Sequence, residues 1–171
     1  MSVPKTATHA KLFVSWFLGI CALLCAVGVV IIMLRQKPPA ANQPASQSGY
    51  ATTTIKFGDK TYHFQIADTP AKQELGLSGR ENLQPREGML FVYDKPSEGL
   101  CFWMKDMRFS LDIIWLDSQR RIVHIEPSLA PATYPNTFCP DAASQYVVEI
   151  NAGRSRDLGL QTGQKLDFLI H

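Results

Sequence analysis

GMLFVYDKPSEGLCFWMKDMRFSLDIIWLD, from Gly88 to Asp117, is the stretch on which the fold turns. Outside an N-terminal apolar segment, it is the longest run dense in aromatic and β-branched residues, the types that suit a pleated, half-buried surface. MLFVY and CFWM read as strands around a DKPSEG turn, and LDIIWL starts another. Phe91, Phe102, Trp103, Met104 and Trp115 supply apolar bulk, with Lys105, Asp106, Arg108 and Asp112 set among them. A charge carried by a core-forming strand must be exposed, paired or functional, because burying it alone is costly.

Upstream, TTTIKF and KTYHFQI alternate apolar and polar residues on either side of Gly58-Asp59, which predicts an antiparallel hairpin. Asp68-Thr69-Pro70 offers a capping side chain and a proline for a first helical turn; AKQELGL continues it, and Gly76 and Gly79 end it. Downstream, RIVHI returns from LDIIWL around Asp117-Ser118-Gln119. Glu126 to Asp141 contains four prolines and no period, and is expected to be an irregular excursion. YVVEI is a strand, NAGRSRDLGL a turn and short helix with Asn151 as its cap, and KLDFLI a last strand. The fold class expected is mainly β: a small antiparallel sandwich or partly closed, jelly-roll-like barrel with two short helices. Neither helix is long enough to serve by itself as the crossover of a parallel pair.

The domain follows a different kind of sequence. After an 11-residue head, Leu12 to Leu34 runs for 23 residues whose only ionisable side chains are two cysteines, long enough to span a bilayer and longer than the apolar core of a signal peptide. The reading is an uncleaved signal-anchor, with everything foldable outside the cytoplasm. Residues 35–49, rich in Pro, Ala, Gln and Ser, cannot bury enough apolar surface to order and form a linker. Tyr50 to His171 gives 122 residues, one core's worth, with 13 Lys and Arg against 15 Asp and Glu, a net charge of −2. Nothing in that balance points to nucleic acid. The partners expected are the membrane, through Leu12 to Leu34, and a small ligand or an envelope protein.

GLSGR (Gly76 to Arg80), GMLFVY, FWMKDM, LDIIWLD, YVVEINAG and LGLQTGQ follow in an order and spacing that resembles domain-of-unknown-function family 192 across nearly the whole soluble part. The resemblance implies a small β-rich domain of jelly-roll-like shape, often behind a signal or anchor, with no established activity. It also places a lysine at position 105. Two features depart from the pattern: Ser110 stands where proline is usual, and neither Cys101 nor Cys139 belongs to it. In an oxidising compartment those two cysteines can pair; the alternative is buried free thiols.

The candidate binding residues are Arg80, Trp103, Lys105, Asp112, Glu149 and Asn151. Trp103 and Lys105 share one face of a strand, so the lysine is either a ligand's counter-charge beside an aromatic floor or a stem lying along Trp103 with its ammonium in water. Asp112 and Glu149 each sit between apolar neighbours, where they either pair with Arg80 or Lys105 to hold the fold or form a polar ligand site. Asn151-Ala152-Gly153 either caps a helix or opens an anion site at its start. Thr133, Tyr134, Pro135 and Phe138 form a lid over a pocket or a plug over a sheet edge. His63, His124, Cys139 and Asp141 lack metal-ligand spacing, and no nucleophile-base pair or phosphate loop occurs, so neither metal nor cofactor is expected. Three functions are compatible: a binding module, a hydrolase of an envelope polymer using Asp112 and Glu149 as paired carboxylates in one cleft, or a structural and protein-interaction module.

Overall fold

The computed structural model describes residues 49–170. The head, the Leu12 to Leu34 anchor and all of the linker but Gly49 lie outside the described residues. Among the described residues no helix is long and apolar enough to cross a membrane.

The hairpin forms as its alternation dictates. Strands β1 (Thr52–Phe57) and β2 (Lys60–Ala67) pair antiparallel through a turn in which Gly58 takes φ +63°. Helix α1 (Pro70–Leu75) begins where the Thr69 side chain accepts the Lys72 N–H, with Pro70 in the first turn, and ends at Gly76 in the left-handed region. The chain then returns as β3 (Glu87–Ser97), which lies parallel to β2. This corrects the all-antiparallel expectation. A parallel return needs a connection of a dozen or more residues, and helix α1 together with the loop that follows it to Arg86 supplies that length although the helix alone does not.

CFWM contributes only a short strand, β4 (Phe102–Trp103), and it does not turn back onto β3. Strands β5 (Leu111–Leu116) and β6 (Ile122–Leu129) form the expected antiparallel pair. The proline-rich excursion is more ordered than its composition suggests. It starts within β6, makes one turn of 3-10 helix at Pro131–Thr133, and returns as β7 (Thr137–Phe138), the partner of β4. Cys101 and Cys139 flank this ribbon and are joined as a disulfide.

Strand β8 (Ser144–Asn151) enters between β3 and β5, completing a six-stranded sheet of order β1-β2-β3-β8-β5-β6. The result is mainly β with two short helices, but the sheet is open and mixed, and the second layer is only the β4-β7 ribbon; neither a closed barrel nor a jelly roll forms. KLDFLI is not a strand: Lys165 makes one bridge to Arg121, and beyond it Leu166 and Phe168 insert into the core.

Both faces of the sheet are covered. Ile55, Phe64, Leu90, Ile114, Val148 and Ile150 pack on one side with Leu166 and Phe168. Met89, Phe91, Ile113, Trp115 and Val147 pack on the other with Leu77 and Met104. Gly88 marks the closest approach within the sheet, since a Cβ there would meet the Phe64 ring and come to 2.5 Å from the Glu149 carbonyl oxygen.

Asp112 anchors the first of these faces. Its paired residue on β8 is Ile150, so the carboxylate points to the Ile150 side. Fully buried, it accepts the N–H groups of Ser128 and Gly153 at 2.8 Å on Oδ1, and the N–H and Oγ of Ser155 at 2.7 Å on Oδ2. It thereby ties β5 to the bulged end of β6 and to the start of helix α2 (Arg154–Asp157). Ser128 and Gly153 both have positive φ, at 55° and 81°, and the carboxylate holds their N–H groups in place. Replacing Asp112 with alanine strands three backbone donors, and is expected to lower stability by about 3–5 kcal/mol. Urea unfolding of the two proteins measures it; a loss of less than roughly 1 kcal/mol would show that the carboxylate is not what holds these turns.

Candidate functional site

The opposite face carries the other buried carboxylate. Glu149 lies on β8 between Met89 of β3 and Ile113 of β5 in the rungs of the sheet, and therefore points to the Met89 and Ile113 side. It lines a cavity of about 290 Å³ between α1, β3, β4 and the loop after β4, near the lower end of small-molecule sites. Phe91, Tyr93, Phe102 and Trp103 form aromatic walls, and Met107, Leu75 and Leu77 complete the apolar lining. Phe91, Phe102 and Trp115 interlock edge to face, with ring centroids 4.9 and 5.9 Å apart. The Trp115 indole donates to the Leu100 carbonyl at 2.7 Å, which fixes the approach to β4.

Glu149 is only 5% exposed, and its Oε2 has no hydrogen-bond partner among the described residues. Burial pushes its carboxyl up to about 8, against the opposing pull of the Arg80 guanidinium. Arg80 itself is lowered by burial and held up by Tyr50, Glu149 and Glu87. Its Nη2 is committed to Gln65 Oε1 at 2.6 Å. Tyr93 on the cavity wall is raised to about 12, by burial first and then by the Glu149 charge. Glu149 and Tyr93 are thus both poised to hold their protons near neutral pH.

The six candidate residues separate. Trp103 and Glu149 line one cavity, and Arg80 acts on Glu149 from beside it. Lys105 is exposed, and its ammonium Nζ lies over the Trp103 ring, 5.6 Å from the centroid. Asp112 is on the far face, saturated by its own turns, and is no part of the cavity. Asn151 is not the expected helix cap. Gly153 occupies that position without a side-chain cap, and Asn151 Nδ2 donates to the carbonyls of Leu83 and Gln84 at 3.0 Å, pinning the loop that bears Arg80. Because Asp112 and Glu149 point to opposite faces, they cannot flank one glycosidic bond, and the paired-carboxylate arrangement is not formed.

Neither Tyr134 nor Phe138 lines the cavity. Tyr134 meets Trp103 edge to face at 6.2 Å outside the cavity, while Phe138 packs into the core beneath the ribbon. Gln65, Tyr93 and Met107 escaped sequence reading. The alternation Met89, Phe91, Tyr93 in β3 carried a signal for one of them, whereas Gln65 meets Arg80 and Met107 meets the cavity only through contacts between segments distant in sequence. A larger groove of about 510 Å³ beside β1, lined by Thr52, Lys56, Arg120 and Phe168, contains no buried polar atom without a partner.

Together the open mixed sheet and the Glu149 cavity with its aromatic walls define a small, mainly β domain. The chain belongs to domain-of-unknown-function family 192, described as an uncharacterized ACR, whose model matches residues 52–168. It is 28% identical over 107 residues to a UPF0127 protein of Thermococcus gammatolerans, and 29% identical over 112 residues to one of Thermococcus kodakarensis. These matches cover 62% and 64% of the chain, and the chain spans about two thirds of each relative, 66% and 68%. Among solved structures it resembles a Novosphingobium aromaticivorans protein of unknown function, at 29% identity and TM-score 0.64, covering 75% of this chain and 94% of that one. A Sinorhizobium meliloti protein described as a candidate transcription regulator matches at 26% identity and TM-score 0.64, over 70% of this chain and 95% of the other. That description is of the Sinorhizobium protein.

The raised Glu149 carboxyl makes a signed prediction. Between its ordinary value of 4.5 and about 8, the unfolded chain releases this proton while the folded chain keeps it. Stability therefore falls as pH rises through that window and levels off above it, by roughly 3–5 kcal/mol from this one group. In Glu149→Gln the fall is expected to be smaller by that amount. Urea midpoints of both proteins across the window test it, and parallel curves would show that Glu149 ionises as freely folded as unfolded.

Proposed function

We propose that the domain is a binding module that takes a small ligand into the Glu149 cavity. One observation carries this: a buried carboxyl oxygen without a hydrogen-bond partner, at the wall of an aromatic cavity large enough for a small molecule. A buried polar atom left unmatched lowers stability, and a ligand that meets it relieves that cost. Trp103 and Leu75 line the cavity, Tyr134 packs against Trp103, and all three are between 44% and 47% exposed, which gives an arriving molecule apolar surface outside as well as inside. They also favour a second reading, contact with an envelope protein at the same face.

The proposal includes its setting. A signal-anchor at Leu12 to Leu34, followed by the linker of residues 35–49, would hold the module outside the cytoplasm, where the Cys101–Cys139 disulfide would persist. Protein isolated from its native membrane without reductant, alkylated before and after reduction and then digested, is expected to show Cys101 and Cys139 labelled only after reduction. Labelling of both before reduction would place the domain in a reducing compartment.

Ligand binding is tested by thermal melting of the full chain in nonionic detergent against small cations, anions and neutral compounds, beside Met107→Trp, which fills the cavity. Saturation at about 100 times Kd adds about 2.7 kcal/mol of stability, a shift of several degrees. The rise is expected in wild type and not in the filled variant. No rise with any compound, or an equal rise in the filled variant, would leave the cavity without a role in binding.

A further inference from the structure

We infer that the cavity takes the positively charged head of a small organic cation, with Glu149 as its counter-charge. The inference rests on the binding reading above and adds the chemical class of ligand. Two carboxylates, Glu149 and Glu74, line the cavity, and neither lysine nor arginine does. Its walls are the faces and edges of Phe91, Tyr93, Phe102 and Trp103, whose ring electrons attract a desolvated cation. An anion entering this space would meet no lining lysine or arginine, and the exposed carboxylate of Glu74 would repel it. A neutral polar ligand could pair with the Glu149 oxygen, but it would leave Glu74 and the aromatic faces without a purpose.

An inorganic cation is disfavoured by the donor set, since among the described residues no three His, Cys, Asp or Glu side chains gather at one point. Arg80 does not take the cation's place: its Nη2 is held by Gln65, and no ion pair joins it to Glu149 among the described residues. Among the described residues the charged and titratable groups around Glu149 are Arg80, Tyr93 on β3 and Glu74 on α1, with Tyr50 and Glu87 acting on Arg80 and the Lys105 ammonium lying over the Trp103 ring of the cavity wall.

The empty site and the cation-loaded site carry the same charge, because the incoming cation displaces the Glu149 proton to solvent. One proton leaves for each cation bound, no bond to the ligand forms, and nothing is oxidised or reduced. Binding of a cation that cannot itself titrate should therefore strengthen about tenfold per pH unit as pH rises toward about 8, then level off.

Tetramethylammonium, tert-butanol and pivalate have closely similar shapes and carry a positive, zero and negative charge. Each is titrated into the full chain in nonionic detergent, with NMR shifts of the Trp103 indole and the Phe91 and Phe102 rings as readout, from about pH 6 to pH 9. The expected result is saturable shifts with tetramethylammonium alone, with the stated pH dependence. Glu149→Gln keeps a neutral side chain of the same shape; it should bind tetramethylammonium at least tenfold more weakly at pH 9 and without a pH dependence. Shifts of the same signals by tert-butanol or pivalate, equal to or exceeding those of the cation, would overturn the cation class while leaving the cavity a binding site. No shift of these signals with any of the three would overturn the inference, and with it the binding reading if the melting panel is also silent. Undiminished tetramethylammonium binding by a folded Glu149→Gln would overturn the role given to Glu149.

Discussion

The domain depends on strand β8 being accepted between two strands that precede it in the chain. Hydrogen-bonded to β3 on one side and β5 on the other, it joins the β1-β2-β3 half of the sheet to the β5-β6 half. Its side chains are buried on both faces: Val148 and Ile150 in one core, Val147 in the other. A central strand buried twice over has no solvent side on which to place a charge. That makes the Glu149 carboxylate conspicuous, since its burial is imposed by the same insertion that completes the sheet.

The same constraint explains why two carboxylates in similar local contexts end in opposite roles. Asp112 and Glu149 both sit between aliphatic neighbours in adjacent strands. Asp112 projects to the side where the chain after β8 turns, and four hydrogen bonds from Ser128, Gly153 and Ser155 reach it. Glu149 projects to the side covered by α1 and the disulfide-flanked ribbon. These leave space rather than donors beside it. A one-residue difference in strand parity separates a carboxylate that holds the fold from one that the fold leaves unmatched.

Much of the layout was readable from patterns of residues close in sequence. The β1-β2 hairpin, the proline-started helix ended by Gly76, the β5-β6 pair and the short helix after β8 all follow from alternation, caps and turn residues. What escaped were pairings between distant segments. The parallel return of β3, the pairing of β4 with β7 across the proline-rich excursion, and the extended but unpaired tail at Leu166 to Phe168 all depend on partners that local propensity does not specify. The site divides the same way. Glu149 was recognisable as a charge set among aliphatic residues and Trp103 as an aromatic beside a lysine, whereas Asp112, Lys105 and Asn151 looked equally promising and proved to serve turns, the outer Trp103 ring and a loop.

By itself the sequence determined the residue types that must be buried, the approximate strands and turns, the family, and the presence of carboxylates that a core has to accommodate. Side-chain period and turn chemistry act over a few residues, so they can be read from a few residues. Only the tertiary structure decided which carboxylate is satisfied and which faces an aromatic cavity. That outcome is set by the register and face of strands whose partners lie up to 62 residues away, as in the pairing of Gly88 with Ile150, against 13 for Gln65 with Thr52. A hydrogen bond or an unmatched oxygen exists only once those distant backbones have come together.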